Sequence, residues 1–171
     1  MNTKNNLITL KNKDTLIFDD FSFKCSVGKN GLTSNKFEGD KKTPKGIFKL
    51  GNLFYRKEKK ELLKTETKLK CQPILEDMAW CNDAKDKKNY NKLIKINESK
   101  SYEILFREDY KYDYFIPIMY NTSHIILGKG SAIFIHLTKN YAGTEGCIAL
   151  GLKDFKILIK IINKNTKIQI S

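Results

Sequence analysis

Gly130-Ser131-Ala132-Ile133-Phe134-Ile135-His136-Leu137, followed by Thr144-Glu145-Gly146-Cys147-Ile148-Ala149-Leu150, is the part of this chain that decides its reading. Each stretch contains a short run of Ile, Phe, Leu and Ala bounded by turn residues, the pattern of a β strand. About eight residues join the runs, so the two strands lie side by side, ~4.8 Å apart. That pairing brings the imidazole of His136 and the thiol of Cys147, eleven positions later, within hydrogen-bonding reach. A histidine beside a thiol lowers its pKa and makes a thiolate nucleophile near neutral pH. Gly146 allows a close backbone bend, so the amides of Gly146 and Cys147 could face a developing oxyanion. Spacing alone also fits a buried cysteine beside a satisfied core histidine, and by itself favours that plainer reading.

Outward from this pair the pattern stays β. Residues 6–10 and 15–27 read as two β segments, with Lys11-Asn12-Lys13-Asp14 as a polar turn between them. Glu38-Gly39-Asp40 and Thr43-Pro44-Lys45-Gly46 form a dense turn region before a strand at Ile47–Leu50. Tyr102–Phe106, Tyr114–Met119, Ile125–Leu127 and Lys167–Ile170 read as further strands. Asp154 is placed to cap a helix running to about Asn163, with Phe155, Leu158, Ile159 and Ile162 on its apolar face. Lys57–Lys70 could form a second, charged helix, and Cys71–Asn97 reads as irregular. The expectation is a mainly β protein with one or two helices. Residues 1–171 form one domain, with an insertion or capping segment over the sheet at about 57–100.

Composition excludes several classes. The chain has 171 residues, 40% hydrophobic and 30% charged, enough apolar material for a core. No apolar run approaches the ~18 residues of a membrane helix. No secretory signal is visible at Met1–Asn6, which sets the expectation of a cytoplasmic protein, with export by a signal-less route as the alternative. The net charge is +13, yet only Arg56 and Arg107 among the 32 basic residues are arginine. The lysines are scattered along the chain rather than gathered in a stripe. Specific nucleic-acid recognition is therefore not expected. Cys25, Cys71, Cys81 and Cys147 lack the close spacing of a zinc or redox site, so neither metal nor organic cofactor is implied. Cys25, Cys71 and Cys81 read as small apolar fillers.

The two opening stretches do not stand alone. Glu38-Gly39-Asp40-Lys41-Lys42-Thr43-Pro44-Lys45-Gly46, Phe54-Tyr55-Arg56, Trp80, Tyr90-Asn91, Tyr112-Asp113 and Tyr120-Asn121 precede them in order. Together these elements resemble the L,D-transpeptidase catalytic domain, in its compact branch with an E-G-D-x-x-T-P-x-G element and a T-x-G-C-[IV]-A-L loop. The resemblance implies a β-rich sandwich with a crevice. It also implies acyl transfer on peptidoglycan tetrapeptide stems or muropeptides: a cysteine attacks beside the terminal D-Ala and forms a thioester. An amine then gives a 3→3 cross-link, or water gives hydrolysis. Carried over by position, Cys147 is the nucleophile and His136 the base. The backbone carbonyl of Leu137 orients His136, and Gly146 belongs to the oxyanion loop.

The resemblance also nominates Arg56, Asp113, Asn121 and Thr144 for substrate binding. For Asp113 and Asn121 structural hydrogen bonding serves equally well. The commoner loop, [S/T]-H-G-C-x-[R/N], differs here: Glu145 replaces its histidine and Ala149 its basic or amide residue. Arg56 or a lysine must then hold a substrate carboxylate. Glu145 must point away or pair with a lysine, because a carboxylate beside a thiol raises its pKa. His124 reads as a bystander, Trp80 as core, and Glu38 with Asp40 as turn-shaping. A non-catalytic basic module binding wall polymer or nucleic acid is the alternative of another class. No oligomeric state is implied.

Overall fold

A computed structural model describes residues 6–58 and 67–171. The chain begins as an antiparallel meander of β1 (Leu7–Lys11), β2 (Thr15–Phe18) and β3 (Phe21–Ser26). The expected segment 15–27 is thus two strands, broken at Asp19-Asp20, where Asp19 adopts φ 49°. Asp tolerates this left-handed turn conformation because its short polar side chain bonds locally. A parallel ribbon follows, β4 (Leu32–Thr33) with β5 (Thr43–Pro44). Next come β6 (Gly46–Lys49), β7 (Leu53–Arg56) and β8 (Cys71–Ile74). The charged stretch Lys57–Lys70, read as a possible helix, lies in part outside the described residues.

The segment Cys71–Asn97, expected to be irregular, holds three short strands between turns, β8 among them. β9 (Met78–Cys81) is the centre of a three-stranded sheet, flanked by β10 (Leu93–Lys95) and β11 (Tyr102–Ile104). β9 and β10 are only four and three residues long, too short for alternation to register as a pattern, whereas β11 falls within the expected strand Tyr102–Phe106. Pro73 sits in β8 because β8 is an edge strand, where a missing N–H costs no ladder bond.

A 3-10 turn at Tyr110–Tyr112 leads into β12 (Tyr114–Pro117), then β13 (Phe134–Thr138) and β14 (Ile148–Gly151). Ile125–Leu127, expected as a strand, lies instead in the turn-rich loop between β12 and β13. Helix α1 (Leu152–Ile161) and β15 (Lys167–Ile170) close the chain. The helix starts at Gly151 rather than at Asp154. Asp154 lies in the first turn, where its negative charge opposes the positive end of the helix dipole.

Ten strands make one curled sheet in the order β6-β15-β1-β2-β3-β14-β13-β12-β7-β8. Ile135, Leu137, Ile148 and Leu150 face a core shared with Ile8, Leu16 and Phe23 and with Phe155, Leu158 and Ile159 of α1. Residues at alternate positions face the other way. There Phe134 and Cys147 join Phe54, Phe115, Tyr112 and Trp80 in a second, aromatic-rich core beneath the three-stranded sheet. Phe115 stacks on Phe54 at 4.7 Å and tilts on Phe134 at 4.8 Å. With both faces covered, β12 and β13 are buried at every position, which is why they read as apolar runs without alternation. Truncating a ring such as Phe134 to Ala removes about 3–5 kcal/mol.

The pairing of β13 with β14 is parallel, with His136 beside Ala149. A hairpin-like loop would have made it antiparallel. Parallel neighbours usually need a crossover of a dozen or more residues. Here the return, residues 139–147, is shorter and docks on the continuation of β3. Thr144 N donates to Val27 O at 2.9 Å, and Lys29 N donates to Thr144 O at 2.8 Å. This crossover sets the Cys147 turn at the N-terminal end of β14.

Candidate active site

Cys147 immediately precedes β14, and its side chain faces the aromatic core. Phe134 N–H donates to the sulfur at 3.3 Å, and the thiol donates to the carbonyl of Ala132, also at 3.3 Å. The residue is only 7% exposed. Its pKa is pushed up to about 12, first by burial and then by the carboxylate of Glu103.

His136 projects from β13 on the same face and is 8% exposed. Its Nδ1 lies 2.9 Å from the carbonyl oxygen of Leu137. A carbonyl only accepts, so Nδ1 carries the proton and Nε2 keeps its lone pair. The ring of Tyr112 packs edge-on against the imidazole at 5.5 Å. Burial, the largest influence, pushes the His136 pKa down to about 4. The two groups therefore rest as neutral thiol and neutral imidazole, not as the thiolate expected of a histidine beside a thiol. Both open on a cleft of about 800 Å³, which Ala132, Leu137, Thr144 and Ala149 also line.

The T-P-x-G and T-E-G-C elements meet at the Cys147 turn. Thr43, fully buried, donates to Gly146 O at 2.8 Å and accepts from Gly28 N at 2.8 Å. Thr144 donates to Cys147 O at 2.6 Å and accepts from Gly146 N at 3.1 Å. Gly146 is obligatory: its φ is 138°, and a Cβ there would lie 3.0 Å from Lys42 O. Its amide is occupied by Thr144, so of the two amides expected to face an oxyanion, Gly146 already has a partner. Thr144 lines the cleft, but its hydroxyl serves the turn. Glu145 points to solvent, bonded to Lys29 at 2.6 Å with Lys41 at 3.8 Å, and these lysines hold its carboxyl below the usual range. The carboxylate that acts on the thiol is instead Glu103, to which Tyr112 OH donates.

The E-G-D element does more than shape a turn. Glu38 accepts from Tyr90 OH at 2.5 Å and from Ser131 Oγ at 2.7 Å. Asp40 accepts from the backbone N–H groups of Phe37 and Lys42 and pairs with the buried Lys36. Asn91 Oδ1 accepts both from Trp80 Nε1 at 2.9 Å and from Ala132 N at 3.1 Å. Trp80, as expected of core, packs edge-on against Phe134.

Three of the four nominated binding residues lie off the cleft lining. Arg56 stacks on Phe106 at 3.6 Å and donates to Arg107 O and to Glu58. Its guanidinium therefore braces the loop that carries Arg107. Asp113 ends the 3-10 turn, and its carbonyl accepts from Arg56 N at 2.9 Å. Asn121 ties its own loop together through Ile126 and Gly130. His124 is exposed on the same loop. The basic groups lining the cleft are Arg107, Lys111 and Lys36. Arg107 was visible in the sequence as one of two arginines, but no local motif marked it. Lys36 was one lysine among thirty.

Among the described residues, no cluster of His, Cys, Asp and Glu could hold a metal ion. No helix among them is long and apolar enough to cross a membrane. Comparison with curated proteins gives no match, and comparison with solved structures gives none. Comparison with protein families gives one, the YkuD L,D-transpeptidase catalytic domain, over residues 1–170. The match takes in both core faces, the cleft between the sheets and every residue that holds Cys147 and His136 in it, so the chain belongs to the L,D-transpeptidase catalytic domain family.

Proposed function

We propose that this protein is a cysteine acyltransferase of peptidoglycan tetrapeptide stems, acting as an L,D-transpeptidase. One observation carries this reading: Cys147 and a His136 locked in its Nδ1–H tautomer by Leu137 open on one cleft. The sulfur attacks the carbonyl beside the terminal D-Ala as the thiol proton passes to Nε2 of His136. The tetrahedral oxyanion faces the Cys147 amide. Its collapse expels the D-Ala amine, which takes the proton back from His136, and leaves a thioester on Cys147. An incoming amine attacks the thioester, His136 again takes the proton, and the thiol is regenerated with a new amide. That product is a 3→3 cross-link or an exchanged D-amino acid. General-base catalysis of this kind is typically worth ~10²–10⁴-fold. Arg107, on the cleft wall, is the residue we assign to the stem carboxylate. It takes the place that Arg56 held in the sequence reading, and Ala149 leaves room beside the nucleophile.

The second reading is L,D-carboxypeptidase, with water as acceptor. It is favoured by Glu145: the loop carboxylate that could receive an acceptor ammonium is already taken by Lys29 and Lys41. Product masses after incubation with purified disaccharide-tetrapeptide separate the two. A tripeptide means water, and a dimer or exchanged stem means an amine. Neither product from folded protein removes the tetrapeptide-stem reading.

A further inference from the structure

The neutral resting pair poses an electrostatic problem. Attack creates negative charge on sulfur and then on the carbonyl oxygen, inside a site that burial makes hostile to it. Glu103 from β11 opposes that charge, and Tyr112 OH donates to Glu103. Arg107 is drawn to Asp109, bonded at 2.6 and 3.1 Å, and to Glu103 at 3.9 Å. Lys111, like Arg107, disfavours the imidazolium of His136.

Lys36 stands apart. It is 4% exposed, follows β4, and lines the cleft beside Cys147. Its Nζ lies 3.7 Å from where a Cβ of Gly146 would project, so it sits against the nucleophile turn. Gly130 makes room for its stem: a Cβ there would come within 2.7 Å of Lys36 Cγ. Asp40 and the carbonyl of Phe37, at 3.1 Å, take two of its N–H groups. An ammonium has three donors, which leaves one for the cleft side. A buried ammonium is costly unless paired, so Asp40 explains how Lys36 is tolerated but not why it lines the cleft that holds the thiol.

Resting on the reading of Cys147 as acyl nucleophile, we propose that Lys36 is the counter-cation for the anion formed at Cys147, first thiolate and then tetrahedral oxyanion. The E-G-D element, through Asp40, is its mount. Lys36 is the charge whose influence on Cys147 favours the anion, opposing Glu103 across the site. Lys36 from the loop after β4, Glu103 from β11, Tyr112 from the 3-10 turn and His136 from β13 share that cleft with Cys147.

The test needs no peptidoglycan. Iodoacetamide alkylates Cys147 through its thiolate, forming the S–C bond and releasing iodide. The rate is read between pH 6 and 9 from the mass of the Cys147 peptide, with the exposed Cys71 as internal reference. Lys36→Met is expected to slow Cys147 about tenfold at each pH, equivalent to about one pKa unit, and to leave Cys71 unchanged. Lys36→Arg should retain most of the wild-type rate. Lys36→Met/Asp40→Asn removes both charges together, guards against a misfolded single variant, and should be as slow as Lys36→Met. Wild-type rates in either folded neutral variant overturn the proposal. Equal slowing in Lys36→Arg and Lys36→Met also overturns it, because loop shape rather than charge would then be at work. Alkylation that depends on Lys36 without turnover of tetrapeptide sinks the substrate reading and leaves Lys36 in its role.

Discussion

Asn91 holds the backbone of Ala132, and through it the thiol of Cys147. Its Oδ1 accepts Ala132 N–H at 3.1 Å, and the Ala132 carbonyl accepts the Cys147 thiol at 3.3 Å. Ala132 is kept at φ 52°, a conformation that alanine rarely adopts without surrounding support. The same Asn91 oxygen accepts Trp80 Nε1, and Asn91 Nδ2 donates to the carbonyls of Tyr120 and Asn121. One buried amide therefore ties the three-stranded sheet, the loop after β12 and the thiol into one unit. Asn91→Ala leaves the Trp80 and Ala132 donors unpaired, at about 1–3 kcal/mol each. Denaturant unfolding is expected to register a loss of roughly 2–6 kcal/mol, with slower acylation of Cys147 in the protein that remains folded.

Only Cys147 should be acylated by a carbapenem, which resembles the acylating substrate of this family. Intact-protein mass is expected to rise by one adduct. Cys147→Ala should abolish that adduct, and Ala at 25, 71 or 81 should not. The exposed Cys71 makes the control informative, since simple alkylation would label it as well. An adduct that survives in Cys147→Ala would overturn the assignment.

The base should titrate far below an ordinary histidine. His136 must be neutral to accept the thiol proton, and burial holds its pKa at about 4. Activity should hold as pH falls through 6.5 and drop only near 4. His136→Ala should lose ~10²–10⁴-fold, and His124→Ala little. An acid limb centred near 6.5 would contradict the buried, tautomer-locked imidazole.

The same shift makes a stability prediction. Between about 4 and 6.5 the unfolded chain binds a proton at position 136 that the folded chain refuses, so stability rises with pH across that window. Its size is on the order of 3 kcal/mol for a group this buried. Thermal melts at pH 7 and pH 5 should differ accordingly, and His136→Gln should shrink the difference. Above pH 9 the sign reverses. Cys147, held near 12, stays protonated when folded while the unfolded thiol ionises, so stability falls as pH rises.

The two arginines should separate by assay. Arg107→Met is expected to raise KM for tetrapeptide at least tenfold with the melting temperature little changed. Arg56→Met removes the stack on Phe106 and the bond to Arg107 O. It should lower thermal stability, with its effect on KM exerted through the Arg107 loop. A larger KM effect for Arg56→Met in folded protein would restore Arg56 as the carboxylate anchor.

Local chemistry made much of this legible before any fold was known. The strand at Lys167–Ile170, the apolar face of the last helix, and the reading of Cys147 with His136 all rest on residues close in sequence or on short motifs. The carbonyl partner of His136 is its own neighbour, Leu137, and the strain at Gly146 is written in the residue type. What tertiary structure decided depends on distant segments. The parallel pairing of β13 and β14 follows from where the return loop docks on β3. The short strands β9 and β10 join β11 in a sheet that covers an aromatic face. Burial sets the pKa values of Cys147 and His136, and burial belongs to the whole fold. Lys36 reaches Cys147 across 111 positions, and Glu103 and Arg107 reach the cleft from a different sheet and the loop beyond it. No local pattern marks one lysine among thirty, because electrostatic influence runs through space and not along the chain.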